Sequence, residues 1–290
     1  MTPYSDCSAM LCHTAAFYVY TTNAKPKLRF LITTILIAIG TYLKITSLII
    51  IIAIIAYEFI CNYKILKNNK TLTLCILYIC TGLIILQGVT ALTYKVNNFT
   101  PSPDKELRMS YFLYLGQNTN THGTIANSSD YTYALSFTSV EKRDSALYRA
   151  ALKRIAERGI IGNIKFYTNE LIVSYRDGLL DHHERHLLPE DYDKKLHSTI
   201  GQILLSKGKF FQFYAGAMQI IWNTVLLLLL GSTILISNKY HFVTALIFIG
   251  SVGYILLLEN RACYVYMFVP YITILAMLTL HKISVLKCSN

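Results

Sequence analysis

Four groups of residues have types and spacings that could do chemistry. Asp6, in the run PYSD, lies just outside the first apolar segment. A carboxylate at a membrane edge is a base, a ligand or a solvated terminal charge. Lys44 stands alone between the apolar runs GTYL and ITSL. An ammonium there either snorkels to the interface or pairs with an anionic head group such as a lipid phosphate. Glu259, Arg261 and Tyr264 fall in LLLENRACYVYMFVPY. The acid and base there either pair with each other, or the guanidinium grips a phosphate through two parallel donors. His182, His183, Glu184 and His186 have metal-ligating side chains. On a helix His182 and His186 would share a face, but Arg185 interrupts the set and the run reads as a solvated loop. P-loop, GxGxxG, GxSxG and HExxH motifs are absent, so soluble-enzyme signatures say nothing. The sequons at Asn98 and Asn127 read as chance matches.

The elements that must position these residues are membrane helices. Of 290 residues, 53% are hydrophobic and only 15% charged, against about 25% charged in soluble domains. That excludes a disordered chain, a coiled coil and a cytosolic enzyme with an ordinary surface. The net charge of +11 could suit nucleic acid. Its positive residues cluster beside apolar runs, however, so the expected partner is the lipid bilayer and not nucleic acid. Seven cysteines occur without a CxxC and with none between residues 95 and 215, which argues against a disulfide framework or a zinc site. The start, MTPYSDCSAM, has no basic region, and no signal peptide is expected.

The fold class expected is an all-α multi-pass membrane protein with about seven transmembrane helices. These lie near 8–22, 28–43, 45–60, 71–94, 215–237, 240–258 and 262–280. The second and third are joined only by Lys44, and one helix of their combined length would be far longer than a bilayer core of about 30 Å. A tight hairpin near residue 44 is therefore expected. Domains divide as 1–94 (four spans), 95–214 (a polar, mostly helical unit) and 215–290 (three spans). Short linkers on one side carry nine Lys and Arg; those on the other carry Lys44 and Arg261 only. By the positive-inside rule the nine face the cytoplasm, placing the N-terminus, Lys44, residues 95–214 and Arg261 outside and the C-terminus inside.

Within the outer unit, Thr138 and Glu141 are spaced as a capping box. A helix over about 139–158 follows, with Leu147, Ala151 and Ile155 at four-residue spacing and Gly159 as its stop. A second helix is expected over 161–176. Residues 181–197 read as a loop, and 198–214 as a helix running into the fifth span.

Several stretches, in order, resemble one family: the bacterial multi-pass glycosyltransferases of the protein O-mannosyltransferase and aminoarabinose-transferase type, Gram-positive branch. PYSDCSAML is similar to the family's PYTD-type segment, and GTYLKITSLIIIIA to its GYLIKPT-type hairpin, with Ile45 where the family has proline. GQNTNTHGTIANSSDY, containing Asn118, resembles a G-x-N…G…D-Y pattern. Tyr175–Gly178, containing Asp177, resembles a W-N-D-G-like turn, and LLLENRACYVYMFVPY an E-x-x-x-R-Y signature. Cys263 replaces the arginine of that signature, with Arg261 nearby, and a thiol lacks the paired donors of a guanidinium.

The resemblance implies sugar transfer from a polyprenyl-phosphate donor to a lipid-linked or surface glycan or protein acceptor at the outer face. Lys44, Arg261 and Tyr264 would hold the donor phosphate, and Asp6 would be the catalytic carboxylate. Asn118, Asp177 and Gly178 would mark the outer domain. No cofactor is implied, and a divalent metal is left open. The chain resembles the C-terminal half of such an enzyme, with a separate N-terminal half as a possible partner; a non-catalytic scaffold of the same fold, and more remotely a lipid-linked-sugar flippase, are the alternatives.

Overall fold

The computed structural model describes residues 5–22, 25–61, 82, 84, 86–100, 102, 106–124, 128–180, 195–232, 239–258, 260 and 262–288. All regular structure among them is helical. In chain order the elements are α1 (Ser5–Thr21), α2 (Pro26–Leu43), a 3-10 turn (Ile45–Ser47), α3 (Leu48–Cys61), α4 (Met109–Gly116), α5 (Ser128–Leu135) and α6 (Val140–Tyr175). Then come α7 (Thr199–Leu204), α8 (Phe211–Ser232), α9 (Lys239–Leu257), α10 (Ala262–Val265), a 3-10 turn (Tyr266–Phe268) and α11 (Val269–Cys288). Residues 86–96 are also helical.

Phe211–Ser232, Tyr240–Leu257 and Tyr266–Val285 are long and apolar enough to cross a bilayer, and Ile45–Tyr57 is apolar but shorter. Of the seven expected segments, the first and second form helices with polar starts: Asp6 sits in the first turn of α1, and Lys27 and Arg29 in that of α2. The fourth lies mostly outside the described residues. Between α2 and α3 the chain turns at Lys44, whose backbone is extended (φ −153, ψ 121). The Lys44 amide donates to Gly40 O at 2.8 Å and its carbonyl accepts from Ser47 N at 3.1 Å, closing both helix ends.

One apolar core runs through the bundle, with Ile50, Trp222, Ile247, Ile255, Phe268 and Tyr271 inside it. α1 is tied to α11 by a polar contact in that core. Tyr271 OH donates to His13 O at 3.0 Å, and His13 Nδ1 lies 3.1 Å from the same hydroxyl. A phenol has one proton, so with that proton on His13 O the ring nitrogen must be the donor in the second contact.

The polar unit has a small core of its own, built from Tyr111, Tyr114, Leu115, Ala134, Leu147 and Ala151. α4 and α5, not anticipated from periodicity, supply four of these. In α6 the backbone breaks at Gly159, where φ is +62 and ψ −174; only glycine adopts this without strain. Asn163 Nδ2 reaches back across the break to Ile155 O at 2.8 Å, and Arg158 Nε holds Asn163 Oδ1 at 2.8 Å. One orphan carbonyl of the first segment is thereby satisfied.

Two local expectations are corrected. The helix cap is Ser139, not Thr138, and its hydroxyl bonds the Glu141 carboxylate at 2.6 Å, with no side-chain bond to the backbone amides. Residues 198–214 are not one helix: α7 stops at Leu204, and the chain passes through turns at 205–210 before α8. Lys209 N bonds Gln202 Oε1 and Phe210 N bonds Gln202 O, so the turns fold back on α7 and cannot extend it.

The polar unit is pressed onto the end of α9. A Cβ on Gly116 would lie 2.2 Å from Leu258 O, and Gln117 Nε2 donates to Leu256 O and Leu257 O at 3.2 and 3.3 Å. Gly116→Ala should therefore force the two backbones apart and cost about 1–3 kcal/mol, as overpacking does. Thermal unfolding of the purified variant in nanodiscs checks this, and an unchanged melting temperature would show that the contact is soft.

Candidate functional site

Three residues singled out by sequence meet at the end of the bundle that carries the polar unit. Asp6 Oδ1 and Lys44 Nζ are 2.5 Å apart, and Lys44 Nζ sits 4.6 Å from the centre of the Tyr264 ring. Tyr264 in turn meets Tyr254 of α9 edge-on at 6.0 Å. α1 brings Asp6, the α2–α3 hairpin brings Lys44 and α10 brings Tyr264, so the meeting depends on three separate elements. Asp6 lies inside the first turn of α1, not outside the helix as expected; there the exposed amides of the helix start favour a negative charge.

Asp6 is 1% exposed and the Lys44 side chain 21%. Asp6 Oδ2 has no hydrogen-bond partner among the described residues. The ammonium is thus held between a buried carboxylate and an aromatic face, with one side toward solvent. Arg261, Glu259 and the histidine cluster at 182–186 lie outside the described residues, as does Asn127. Among the described residues no three His, Cys, Asp or Glu side chains gather as a metal site.

An apolar cavity of about 460 Å³ lies between α8 and the start of α11, and none of the trio lines it. Tyr214, Met218, Trp222, Tyr266 and Val269 line it, and Gly178–Leu180 also border it. Tyr266 joins cavity to trio: its hydroxyl accepts from Cys7 Sγ at 3.7 Å, one residue from Asp6.

Asn118, Asp177 and Gly178 are placed elsewhere and act as joints. Asn118 Nδ2 bonds Asp130 Oδ2 at 2.6 Å, and Arg154 spans from Asp130 Oδ1 (3.0 Å) to Tyr114 O (2.7 Å). Asp177 Oδ1 accepts from Leu179 N, and Gly178 N donates to Gln219 Oε1, both at 2.9 Å. A Cβ on Gly178 would lie 2.9 Å from Met218 O, so a side chain there would lift the turn off α8.

Sequence reasoning missed Glu170. It is wholly buried, and neither carboxyl oxygen has a hydrogen-bond partner among the described residues. A Cβ on Gly123, which has φ +72, would lie 2.6 Å from its Oε1. Asn260 Nδ2 holds the Glu170 carbonyl at 3.2 Å, so the residue lies where α6, the 116–124 loop and the turn after α9 converge. Its only sequence signal was a charge on the apolar face of the second helical segment. Burial pushes this carboxyl up to about 9, against the opposing pull of Arg158.

Two predictions follow from these charges. Glu170 is neutral when folded, so its contribution is fully present below its ordinary value of 4.5 and is lost as pH rises through about 9. Wild-type melting temperature should fall more steeply from about pH 5 to about pH 10 than that of Glu170→Gln, and parallel curves would refute the buried acid. At the trio, Lys44→Met strands a buried carboxylate and should cost roughly 3 kcal/mol, and adding Asp6→Asn should recover most of it. Additive losses in that double-variant cycle would show that the two charges do not interact.

A family model described as "Conserved hypothetical integral membrane protein" matches residues 1–284. No curated protein and no solved structure matches the chain. The match covers nearly the whole sequence, from the Asp6 helix through α11, and agrees with the three membrane-length apolar helices; the chain belongs to this family of integral membrane proteins.

Proposed function

We propose that this chain is a membrane glycosyltransferase, or the substrate-binding half of one, that moves a sugar from a polyprenyl-phosphate donor to a cell-envelope acceptor. In this reading the bundle crosses the membrane seven times, with the N-terminus and residues 95–214 outside and the C-terminus inside. The observation that carries it is the convergence of Asp6, Lys44 and Tyr264, joined through Cys7 and Tyr266 to an apolar cavity. An ammonium on an aromatic face, linked in this way to an apolar slot, suits a ligand with an anionic head and a hydrocarbon tail. The order of motifs resembling the glycosyltransferase family supplies the reaction class.

The chemistry is a substitution at the anomeric carbon. The acceptor hydroxyl oxygen bonds to that carbon, the bond from carbon to phosphate oxygen breaks, and polyprenyl phosphate leaves with the electron pair. The donor phosphate carries one negative charge and the leaving phosphate two. Lys44 would meet the second charge as it develops, the point at which a positioned cation accelerates the reaction. Arg261, close in sequence to Tyr264, would add paired donors. Asp6 would take the acceptor proton. The near-complete burial of Asp6 favours a second reading, in which it serves only as counter-ion to Lys44 and the chain binds the lipid as a non-catalytic partner.

The test uses the full chain in nanodiscs with polyprenyl-phosphate hexoses and envelope acceptors, following release of polyprenyl phosphate. Lys44→Ala should lower the rate by about 10²-fold or more, and Asp6→Asn by a comparable factor if it is the base. Polyprenyl phosphate bound tightly without turnover, and unaffected by Asp6→Asn, would select the binding-partner reading. Equal affinity for polyprenyl phosphate and a neutral isoprenoid would sink both.

A further inference from the structure

The expected picture puts all of residues 95–214 above the membrane, but the contacts of the α6 terminus do not fit it. α9 has 19 residues, close to the thickness of a bilayer core, so Leu257 marks the surface on that side. Gln117 caps that end, and Tyr167 reaches it, donating to Gln117 Oε1 at 3.1 Å. Eight residues later Tyr175 packs edge-on against Phe248 at 6.2 Å. Phe248 lies nine residues below Leu257, about 14 Å down the helix. The other neighbour agrees: Trp222 Nε1 donates to Tyr175 O at 2.7 Å, and Trp222 is eleven residues into α8, about 16 Å along it.

We propose that residues 171–180 form a re-entrant element, in which the end of α6 and its turn dip from the surface-level Tyr167 and Glu170 into the leaflet on the polar unit's side, against lipid chains. Irregular backbone is tolerated at such depth only where protein satisfies it, and protein groups hold four amides and three carbonyls of this turn. Trp222 takes the Tyr175 carbonyl, and Gln219 takes the Arg176 carbonyl while accepting from Gly178 N. Leu179 N and Leu180 N both donate to Asp177, and Arg176 N to Ile172 O. The proposal also accounts for Gln219 and Asn223 in the middle of an apolar span, where polar residues are costly: Asn223 Oδ1 accepts from Gln219 Nε2, steadying the side chain that holds the turn. Ile172, 53% exposed, then faces acyl chains and not water. Arg176, exposed at the turn, snorkels to the head groups. The cavity bordered by Gly178–Leu180 lies below the surface as well, within reach of a lipid chain from the same leaflet.

Spin labels at Ile172→Cys and Ile161→Cys, with the native cysteines replaced, test the depth in proteoliposomes. Ile161 is 84% exposed and lies toward the far end of the helical segment. The label at 172 should be relaxed mainly by oxygen and the label at 161 mainly by aqueous nickel chelate. Equal nickel access at both positions overturns the proposal. The unmodified chain offers an independent readout through Trp222, its single tryptophan. Lipids brominated along the chain should quench Trp222 more than head-group-brominated lipids do, and stronger quenching from the head group would place the turn and cavity at the surface. Neither readout depends on sugar transfer.

Discussion

The contact between Gly116–Gln117 and the end of α9 is the constraint on which the rest of the structure depends. A helix leaves its last carbonyls without partners, and at a membrane surface protein or water must supply them. Here one side-chain amide serves the Leu256 and Leu257 carbonyls, and the missing side chain at 116 lets the backbones touch. Arg158 then holds Gln117 from above, with Nη1 on its carbonyl at 2.9 Å and Nη2 on Oε1 at 2.5 Å. The polar unit is locked to the bundle at the point where the chain turns from α9 toward α10. That turn sets where Tyr264 stands, and Tyr264 is the floor beneath Lys44.

Around this joint the buried polar groups are arranged by what they must satisfy. Asp6 is neutralised by a cation brought from another hairpin. Among the described residues Glu170 has no such partner, and its burial favours keeping the proton. The first arrangement pairs two charges across separate elements; the second stores a proton at a junction of three segments and ties their packing to pH. The contact between the turn at Gly178 and α8 handles a third case, irregular backbone at depth, by lending it the Gln219 amide and the Trp222 indole from a span.

Much of the architecture was legible in the sequence because it follows from local rules. The break at Gly159, the hairpin at Lys44 and the presence of α8, α9 and α11 need only apolar run length, helix rise and glycine's freedom at positive φ. Of the limits, those of α9 were placed within one residue, whereas α8 starts at Phe211 and not 215, and α11 at Val269 and not 262, after a short helix and a 3-10 turn. The small helices α4 and α5 were not legible: each is too short to show a period, and each is held by side chains from elsewhere, as Ser110 is by Asp144 at 2.7 Å. The expected continuous helix at 198–214 failed for a related reason. Gln202 captures the chain at 209 and 210, a tertiary-like closure that helical propensity does not register.

For the site, residue types pointed to Asp6, Lys44 and Tyr264 singly, and charge counting pointed to one side of the membrane. That composition alone determined a helical membrane protein follows from the cost of placing backbone and charge in hydrocarbon, a cost read from each segment by itself. Which charges meet was decided only by tertiary structure, because residues 6, 44 and 264 are brought together by packing between three helices and by no local pattern. The same holds for Glu170 and for the turn at 176–180, where Gly178 and Leu180 are buried. Their burial depends on neighbours more than forty residues away, and depth in a membrane is a property of the assembled bundle.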